Sequence, residues 1–393
     1  MKFTEMGIDG RILKAIEDMN ITVPTEIQKK ALPVAMSGRD VIGESMTGSG
    51  KTLVFAIPIL QKIKHGEGVQ ALIVCPTREL ALQISEHIRN LAVHMQVSIC
   101  EVYGGVSLEE QVRKLSRTDI VVGTPGRILD HMRRRTVDFR KLQIFVLDEA
   151  DRMLDMGFID DIKMIIRNIP QDRQTMLFSA TIPEKIYHIT RMYMKNPARV
   201  STQLTVPKHK LAQFYYNVKR EEKLALLVHL IKKEKPRLAI VFCGTRSMSD
   251  VVGDVLAANG VDAKTLHGGL TQNRRTNLME GFHRGRPHVL VATDVAARGL
   301  DIKDISHIFN YDVPKTVDDY THRIGRTARI GKEGKAITLL SREDHESFRK
   351  IVRYLEIECL SESFPKTIAH AERRRETGFR RGFRPRRPFR RRY

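Results

Sequence analysis

Short apolar runs recur along the chain, and each ends in a polar or glycine-containing turn. In the first half they are DVIG, ALIVCPT, DIVVGTP, QIFVLDEAD and TMLFSAT, separated by helix-like stretches such as ELALQISEHIRNLAV and SLEEQVRKL. Continuously apolar strands alternating with helical patterns predict a parallel sheet covered on both faces. The polar chemistry sits just after the runs, where open α/β sheets place ligand sites. The pattern then repeats as RLAIVFCGT, AKTLHGG, HVLVATD, HIFNYDVP and KAITLL, with TRSMSDVVGDVLAANG and TQNRRTNLMEGFHRG between them as helices. The expectation is an α/β protein of two domains in tandem, each a mostly parallel sheet flanked by helices. Residues 1–204 form the first, 205–210 a polar, proline-containing linker and 211–364 the second. Near its end, IEIECLSESFPKT reads as a last helix and turn or as a docking surface. Periodicity stops at about Pro365, so residues 365–393 are expected to be a disordered tail.

Composition agrees with this division. A chain of 393 residues with 41% hydrophobic and 29% charged residues suits two soluble domains. No apolar run reaches the roughly 18 residues of a membrane span, and the start lacks the apolar segment of a secretion signal. Cys75, Cys100, Cys243 and Cys359 form no Cys-x-x-Cys pair and read as buried free thiols. A reducing, cytoplasmic setting is expected. The net charge of +21 points to a polyanionic partner. Charge alone does not choose between RNA, DNA and an acidic membrane. Part of it is concentrated at the end, where Ala371 to Tyr393 holds eleven arginines against two glutamates.

The strongest local signal is VIGESMTGSGKT. An apolar strand leads into the turn Thr47, Gly48, Ser49, Gly50, and then into a helical segment beginning at Lys51 and Thr52. Small residues let backbone N–H groups close around phosphate at a helix N-terminus. Lys51 would reach the terminal phosphates and Thr52 would place its hydroxyl on Mg²⁺. IFVLDEAD supplies Asp148 to hold Mg²⁺, directly or through water, and Glu149 to orient or deprotonate the attacking water. These residues imply hydrolysis of ATP or GTP without naming the base. In HRIGRTAR, Arg326 and Arg329 are three apart and share one side if a helix begins here. They either meet the charge developing on a transferred phosphoryl group or bind backbone phosphate. The first use requires the two domains to close on one phosphate.

Taken together, over residues 1–355, these motifs resemble the DEAD-box RNA helicases, with DEAD itself at Asp148, Glu149, Ala150 and Asp151. The resemblance implies two tandem RecA-like domains and ATP as the nucleotide. It implies that Gln28, supported by Thr25, reads adenine, with Phe3 as the upstream aromatic. Asn20 and Ile21 stand where Gly and an aromatic are usual, Ser45 stands at an Ala position, and Ala328 stands where Gly is commoner. Ser179 and Thr181 would link hydrolysis to strand separation. Asp301 would lie near the ribose, and His322 and Arg323 would contact the other domain. Arg326 and Arg329 would sense the γ-phosphate. Arg78, Gly105, Thr124, Gly126, Arg127, Arg246, Gln272, Arg275 and Thr293 would follow the RNA backbone, joined by Gly104. Backbone amides, hydroxyls and arginines suit sequence-independent binding, and 2′-hydroxyls can tell RNA from DNA. The expected activity is RNA-dependent ATP hydrolysis with local unwinding of short duplexes, by a monomer. An RNA clamp or RNP remodeller with little unwinding is the alternative. The tail, with Phe379, Phe383, Phe389 and Tyr393 among its arginines, would tether RNA.

Overall fold

The computed structural model describes residues 1–45, 48–202, 211–297, 305–327, 334–355 and 360–362. Thr47, Asp301, Arg329, Cys359, the expected linker and the expected tail lie outside them. The first sheet contains β1 (Val41–Glu44), β2 (Ala71–Val74), β3 (Ile99–Val102), β4 (Ile120–Gly123), β5 (Ile144–Leu147), β6 (Gln174–Ser179) and β7 (Ala198–Ser201). The second contains β8 (Leu211–Asn217), β9 (Ala239–Cys243), β10 (Ala263–Leu266), β11 (Val289–Thr293), β12 (His307–Asn310), β13 (Gly334–Leu340) and β14 (Leu360–Glu362). Their orders are β3-β4-β2-β5-β6-β1-β7 and β10-β11-β9-β12-β13-β8-β14. The two orders are the same, strand for strand, and every pairing is parallel.

The apolar runs are buried on both faces, as their continuity predicts. In β5, Ile144 and Val146 enter one core cluster while Phe145 and Leu147 enter the other. In β9, Ile240 and Phe242 face one way and Ala239, Val241 and Cys243 the other. Strand residues alternate faces, so each run fills two cores at once. Truncating a side chain such as Phe145 to Ala would cost about 3–5 kcal/mol. The thiols of Cys75, Cys100 and Cys243 are free and buried.

Three edge strands carried no continuous run. β3 has only alternate residues buried, β7 has Val200 alone buried, and β14 lies in the stretch read as a helix and turn. An edge strand is covered less fully, so its apolar signal is diluted. The last helix, His345–Leu355, stops before β14, which pairs with β8 through Leu360 opposite Phe214.

Candidate nucleotide cleft and nucleic-acid interface

Parallel strands put all their exits on one edge, and the strand order divides that edge. β5, β6 and β1 are neighbours, and Asp148, Ser179 and Ser45 stand at or just beyond their ends. β3, β4 and β2 are also neighbours and lead into Gly104–Gly105, Thr124–Arg127 and Arg78. The nucleotide-site candidates and the candidate backbone readers therefore occupy adjacent halves of one surface.

The loop after β1 is held from behind. Thr25 caps helix Glu26–Met36 and donates its hydroxyl to the Ser49 carbonyl at 2.8 Å. Gln28 donates Nε2 to the Gly50 carbonyl at 3.0 Å and accepts the Thr25 N–H at 2.8 Å. Lys51, buried at the first turn of helix Lys51–Lys62, donates Nζ to the Ser45 carbonyl at 2.9 Å. Three loop carbonyls are thus committed to protein donors. Gly48 and Gly50 have φ of 82° and 91°. The left-handed φ at Gly50 favours glycine, and a Cβ there would also push aside the end of the Gln28 side chain. Phe3 lies in the hydrophobic core with Ile27 and Ala31.

Beyond β5, Asp148 and Glu149 are both buried. Burial pushes the Asp148 carboxyl up to about 6, opposed by the Lys51 ammonium and reinforced by Glu149. Glu149 adopts φ 54°, a left-handed conformation uncommon for a non-glycine residue. Its Oε2 accepts from Arg152 Nη1 at 2.7 Å, and Arg152 is 1% exposed. Asp151 then ties β5 to β6. Its Oδ2 accepts from the N–H groups of Ala180 at 3.0 Å and Thr181 at 3.1 Å, and its own N–H donates to Ser179 Oγ at 3.0 Å. The same Oδ2 lies 3.9 Å from His322 Nε2 of the second domain. Asp151 and Arg152 did not stand out among the sequence candidates. Their spacing from Asp148 and Glu149, three residues on, was the available signal.

In the second domain, Arg323 departs from its expected interdomain contact. It is forked onto Asp294 at 2.7 Å through Nε and Nη2, while Nη1 donates to Asn310 Oδ1 and the Asp312 carbonyl. All of these partners belong to its own domain. HRIGR also closes a helix rather than opening one: Val317–Ile324 ends at Gly325, and buried Arg326 lies in the turn beyond. Glycine costs helix stability, which favours the stop. Thr293 is the last residue of β11.

Among the backbone-reading candidates, Arg78 begins helix Arg78–Leu91 and stacks its guanidinium 4.4 Å over the Tyr103 ring. Arg246 begins helix Arg246–Ala258 after β9, the strand equivalent to β2, and is exposed. Both helices are capped by threonine, Thr77 accepting from the Leu80 N–H and Thr245 from the Met248 N–H. Gly104, Gly105 and Gly126 are exposed, and Thr124 directly precedes helix Pro125–Arg133 without a side-chain capping hydrogen bond. Gln272 opens helix Gln272–His283. Two arginines differ from the expectation of free backbone readers. Arg127 Nη1 donates to the Val106 carbonyl at 3.3 Å and Gln111 Oε1 at 3.2 Å. Arg275 donates to the Ala296 carbonyl at 2.9 Å and forms an ion pair at 2.8 Å with Glu79 of the first domain.

Comparison with known proteins accords with this arrangement. Residues 25–189 match the family described as DEAD/DEAH box helicase, and residues 222–331 match the helicase conserved C-terminal domain. An ATP-dependent RNA helicase CshA of Listeria monocytogenes is 45% identical over 347 residues, covering 86% of this chain and 66% of that protein. A DEAD-box ATP-dependent RNA helicase CshA of Bacillus cereus is 41% identical over 356 residues, covering 89% and 67%. The chain thus spans about two thirds of the length of these relatives. Saccharomyces cerevisiae Dbp5 bound to RNA and ADP BeF3 superimposes with a TM-score of 0.84 at 31% identity, over 92% of this chain and 95% of that one. The two sheets are tandem RecA-like domains, and the chain belongs to the DEAD-box family of ATP-dependent RNA helicases.

Proposed function

We propose that the chain is an RNA-dependent ATPase and helicase that hydrolyses ATP to ADP and phosphate as its domains close, and locally separates short RNA duplexes. The observation that carries this reading is Asp151. One carboxylate oxygen receives two N–H groups of the Ser179–Thr181 turn and faces His322 of the other domain. A change at the phosphate site is therefore one side chain away from the second domain.

Lys51, with the N–H groups of Gly48, Ser49 and Gly50, binds the phosphates. Glu149 orients the attacking water, and Arg326 with Arg329 meets the charge that develops. Gln28 keeps one N–H and one lone pair beyond those already committed, the complement that an adenine edge requires. Thr47 and Asp301 complete the nucleotide contacts, with Phe3 supporting from the core. Thr52 and Asp148 would hold Mg²⁺ together with phosphate oxygens. A buried carboxyl held high beside a second carboxylate suits a divalent cation, and Mg²⁺ commonly takes few protein ligands. Bound there, it would neutralise phosphate charge.

Single-stranded RNA runs over Arg78, Gly105, Thr124 and Gly126, then Arg246, Gln272 and Thr293. The Arg275–Glu79 pair holds the domains together beside it. The protein acts as a cytoplasmic monomer, with its arginine-rich tail as an RNA tether. Among the described residues, no helix is long and apolar enough to cross a membrane.

The test is ATP turnover with and without RNA, beside a blunt-duplex unwinding assay. RNA is expected to stimulate turnover, and Glu149→Gln is expected to bind both ligands while turning over poorly. Equal turnover with and without RNA overturns the reading, and undiminished hydrolysis by Glu149→Gln removes that residue from catalysis.

A further inference from the structure

Behind the backbone-reading half of the first domain lies a buried polar network. Gln111, on helix Leu108–Leu115, is 4% exposed, and His131, on helix Pro125–Arg133, is fully buried. Gln111 Nε2 donates to the Tyr103 carbonyl at 3.0 Å. Its Oε1 receives Arg127 Nη1 at 3.2 Å and meets His131 Nε2 at 2.9 Å. His131 Nδ1 lies 2.8 Å from Thr136 Oγ1. Arg127 also donates to the Val106 carbonyl. The Tyr103 ring in turn carries the Arg78 guanidinium.

One amide thus joins three separate stretches. It grips the residue before Gly104–Gly105 by its carbonyl, and that residue's ring seats Arg78. It also holds Arg127, the third residue of the helix that follows Thr124. Gly104 and Gly105 have no side chains of their own, and a Cβ at either would meet nothing within 4 Å. Their position must therefore come from the flanks, at Tyr103 and Val106, and those are the two carbonyls the network holds.

The donor pattern fixes the chemistry. Gln111 Oε1 is an acceptor on both contacts, so His131 carries its proton on Nε2. Burial, followed by the Arg127 charge, lowers the His131 pKa and keeps the ring neutral. Glutamine is the side chain that can donate to Tyr103 and accept from Arg127 and His131 together. Glutamate keeps the accepting side and loses the donation, while leucine keeps the bulk and loses both.

We infer that Gln111, backed by His131, is a positioning residue for RNA: it pre-assembles the Arg78, Gly104–Gly105 and Thr124–Arg127 stretches into one backbone-binding surface without touching RNA or nucleotide. The inference rests on the proposed RNA-dependent reading. Pre-organisation lowers the ordering cost of binding, so its loss appears in RNA affinity and leaves ATP recognition alone.

The experiment uses the full chain as wild type, Gln111→Leu and Gln111→Glu. Fluorescence anisotropy with a labelled single-stranded oligoribonucleotide and a non-hydrolysable ATP analogue gives RNA affinity. Steady-state ATPase assays give the KM for ATP and kcat at saturating RNA. Gln111→Leu, which removes three buried hydrogen bonds, should lose about tenfold in RNA affinity and Gln111→Glu, which removes the one to the Tyr103 carbonyl, about threefold or more, with the KM for ATP and kcat at saturating RNA within about twofold of wild type. Gln111→Glu folds with the polar site still partly satisfied, so it decides the matter should Gln111→Leu fail to fold. RNA affinity unchanged in a folded variant, or the KM for ATP rising in parallel, overturns the inference. Wild-type turnover that RNA does not stimulate overturns the proposed function instead, and the anisotropy comparison still reports on Gln111.

Discussion

Asp148 is held in a state that costs stability, and the cost can be worked out. Burial shifts its carboxyl from 3.8 to about 6, even with Lys51 opposing the change. A shift of about two units corresponds to about 3 kcal/mol of preference for the protonated form in the folded state. The sign is opposite to that of a salt-bridged carboxylate. Because the folded pKa lies above the unfolded one, folding favours the proton. The penalty is absent well below pH 4, grows between about pH 4 and 6, and is fully present above that.

Asp148→Asn replaces the ionised group with a neutral one of the same shape, and its oxygen can still accept the Glu149 N–H that Asp148 accepts at 3.0 Å. The variant should therefore be more stable than wild type by about 1–3 kcal/mol at pH 7.5, with the gain roughly halved at pH 5. It should also lose ATP turnover, the exchange expected where a site stores strain for function. Urea denaturation of both proteins at the two pH values, following the first-domain transition, measures the gain. A variant no more stable than wild type at pH 7.5, or a gain that grows as pH falls, would refute the reasoning.

Five further substitutions probe four separate elements. Gly50→Ala combines a left-handed φ with a Cβ that overlaps Gln28, a strain of about 1–3 kcal/mol. Titration with a fluorescent ATP analogue should show binding strongly weakened, and an unchanged Kd would argue against a fixed loop. Arg152→Ala removes a buried ion-pair partner of Glu149, and denaturation should show a loss of up to about 3–5 kcal/mol; a loss below about 1 kcal/mol would mean this pair does not offset its burial. Glu79→Arg and Arg275→Glu should each weaken RNA-stimulated turnover, and the double reversal should recover much of it; a double variant no better than the worse single one would place the contact outside the working state. Asp344→Ala leaves buried Lys223 without the carboxylate 2.9 Å away, costing about 2–3 kcal/mol after allowing for partial exposure. Burial pushes the Asp344 carboxyl up, but the hydrogen bonds from Ser341 and the Lys223 ammonium outweigh this and hold it below its ordinary value. The pair's contribution is thus present above the unfolded carboxyl pKa and lost as pH falls through the lowered folded one, so wild type and variant should converge in denaturation below about pH 4.

The central strands were legible because they are buried on both faces: IFVL of β5 and AIVFC of β9 are apolar at every position. β7 and β14 were not, since an edge strand needs no such run. The loops carrying Lys51, Asp148 and Glu149 were legible through spacing, because a phosphate loop needs glycine, lysine and a helix start in sequence. Side-chain partners were not legible. Nothing in the spacing shows that Arg323 is committed to Asp294, that Arg275 meets Glu79 nearly two hundred residues away, or that Gln111 reaches the Tyr103 carbonyl. Arginine signals charge, but only the fold tells whether that charge faces a ligand or a neighbouring carboxylate.

The same distinction separates the two domains. β1 and β8 occupy equivalent places in sheets of the same order, and each leads to a helix that begins with a buried lysine, Lys51 and Lys223. Before Lys51 the chain makes two left-handed glycine turns, at Gly48 and Gly50; before Lys223 it reads VKREE, with no glycine. Lys51 Nζ rests on a neutral carbonyl, which a phosphate can replace with a stronger charge-assisted contact. Lys223 Nζ rests on the Tyr311 carbonyl and the Asp344 carboxylate, which follow β12 and β13 as the acidic motif and the serine–threonine turn follow β5 and β6. A phosphate arriving there would have to displace a charge already in place. In the second domain the lysine at the equivalent position is thus already committed to partners of its own domain. Its approach to the first domain's acidic motif lies elsewhere, at His322, whose Nε2 is 3.9 Å from Asp151 Oδ2.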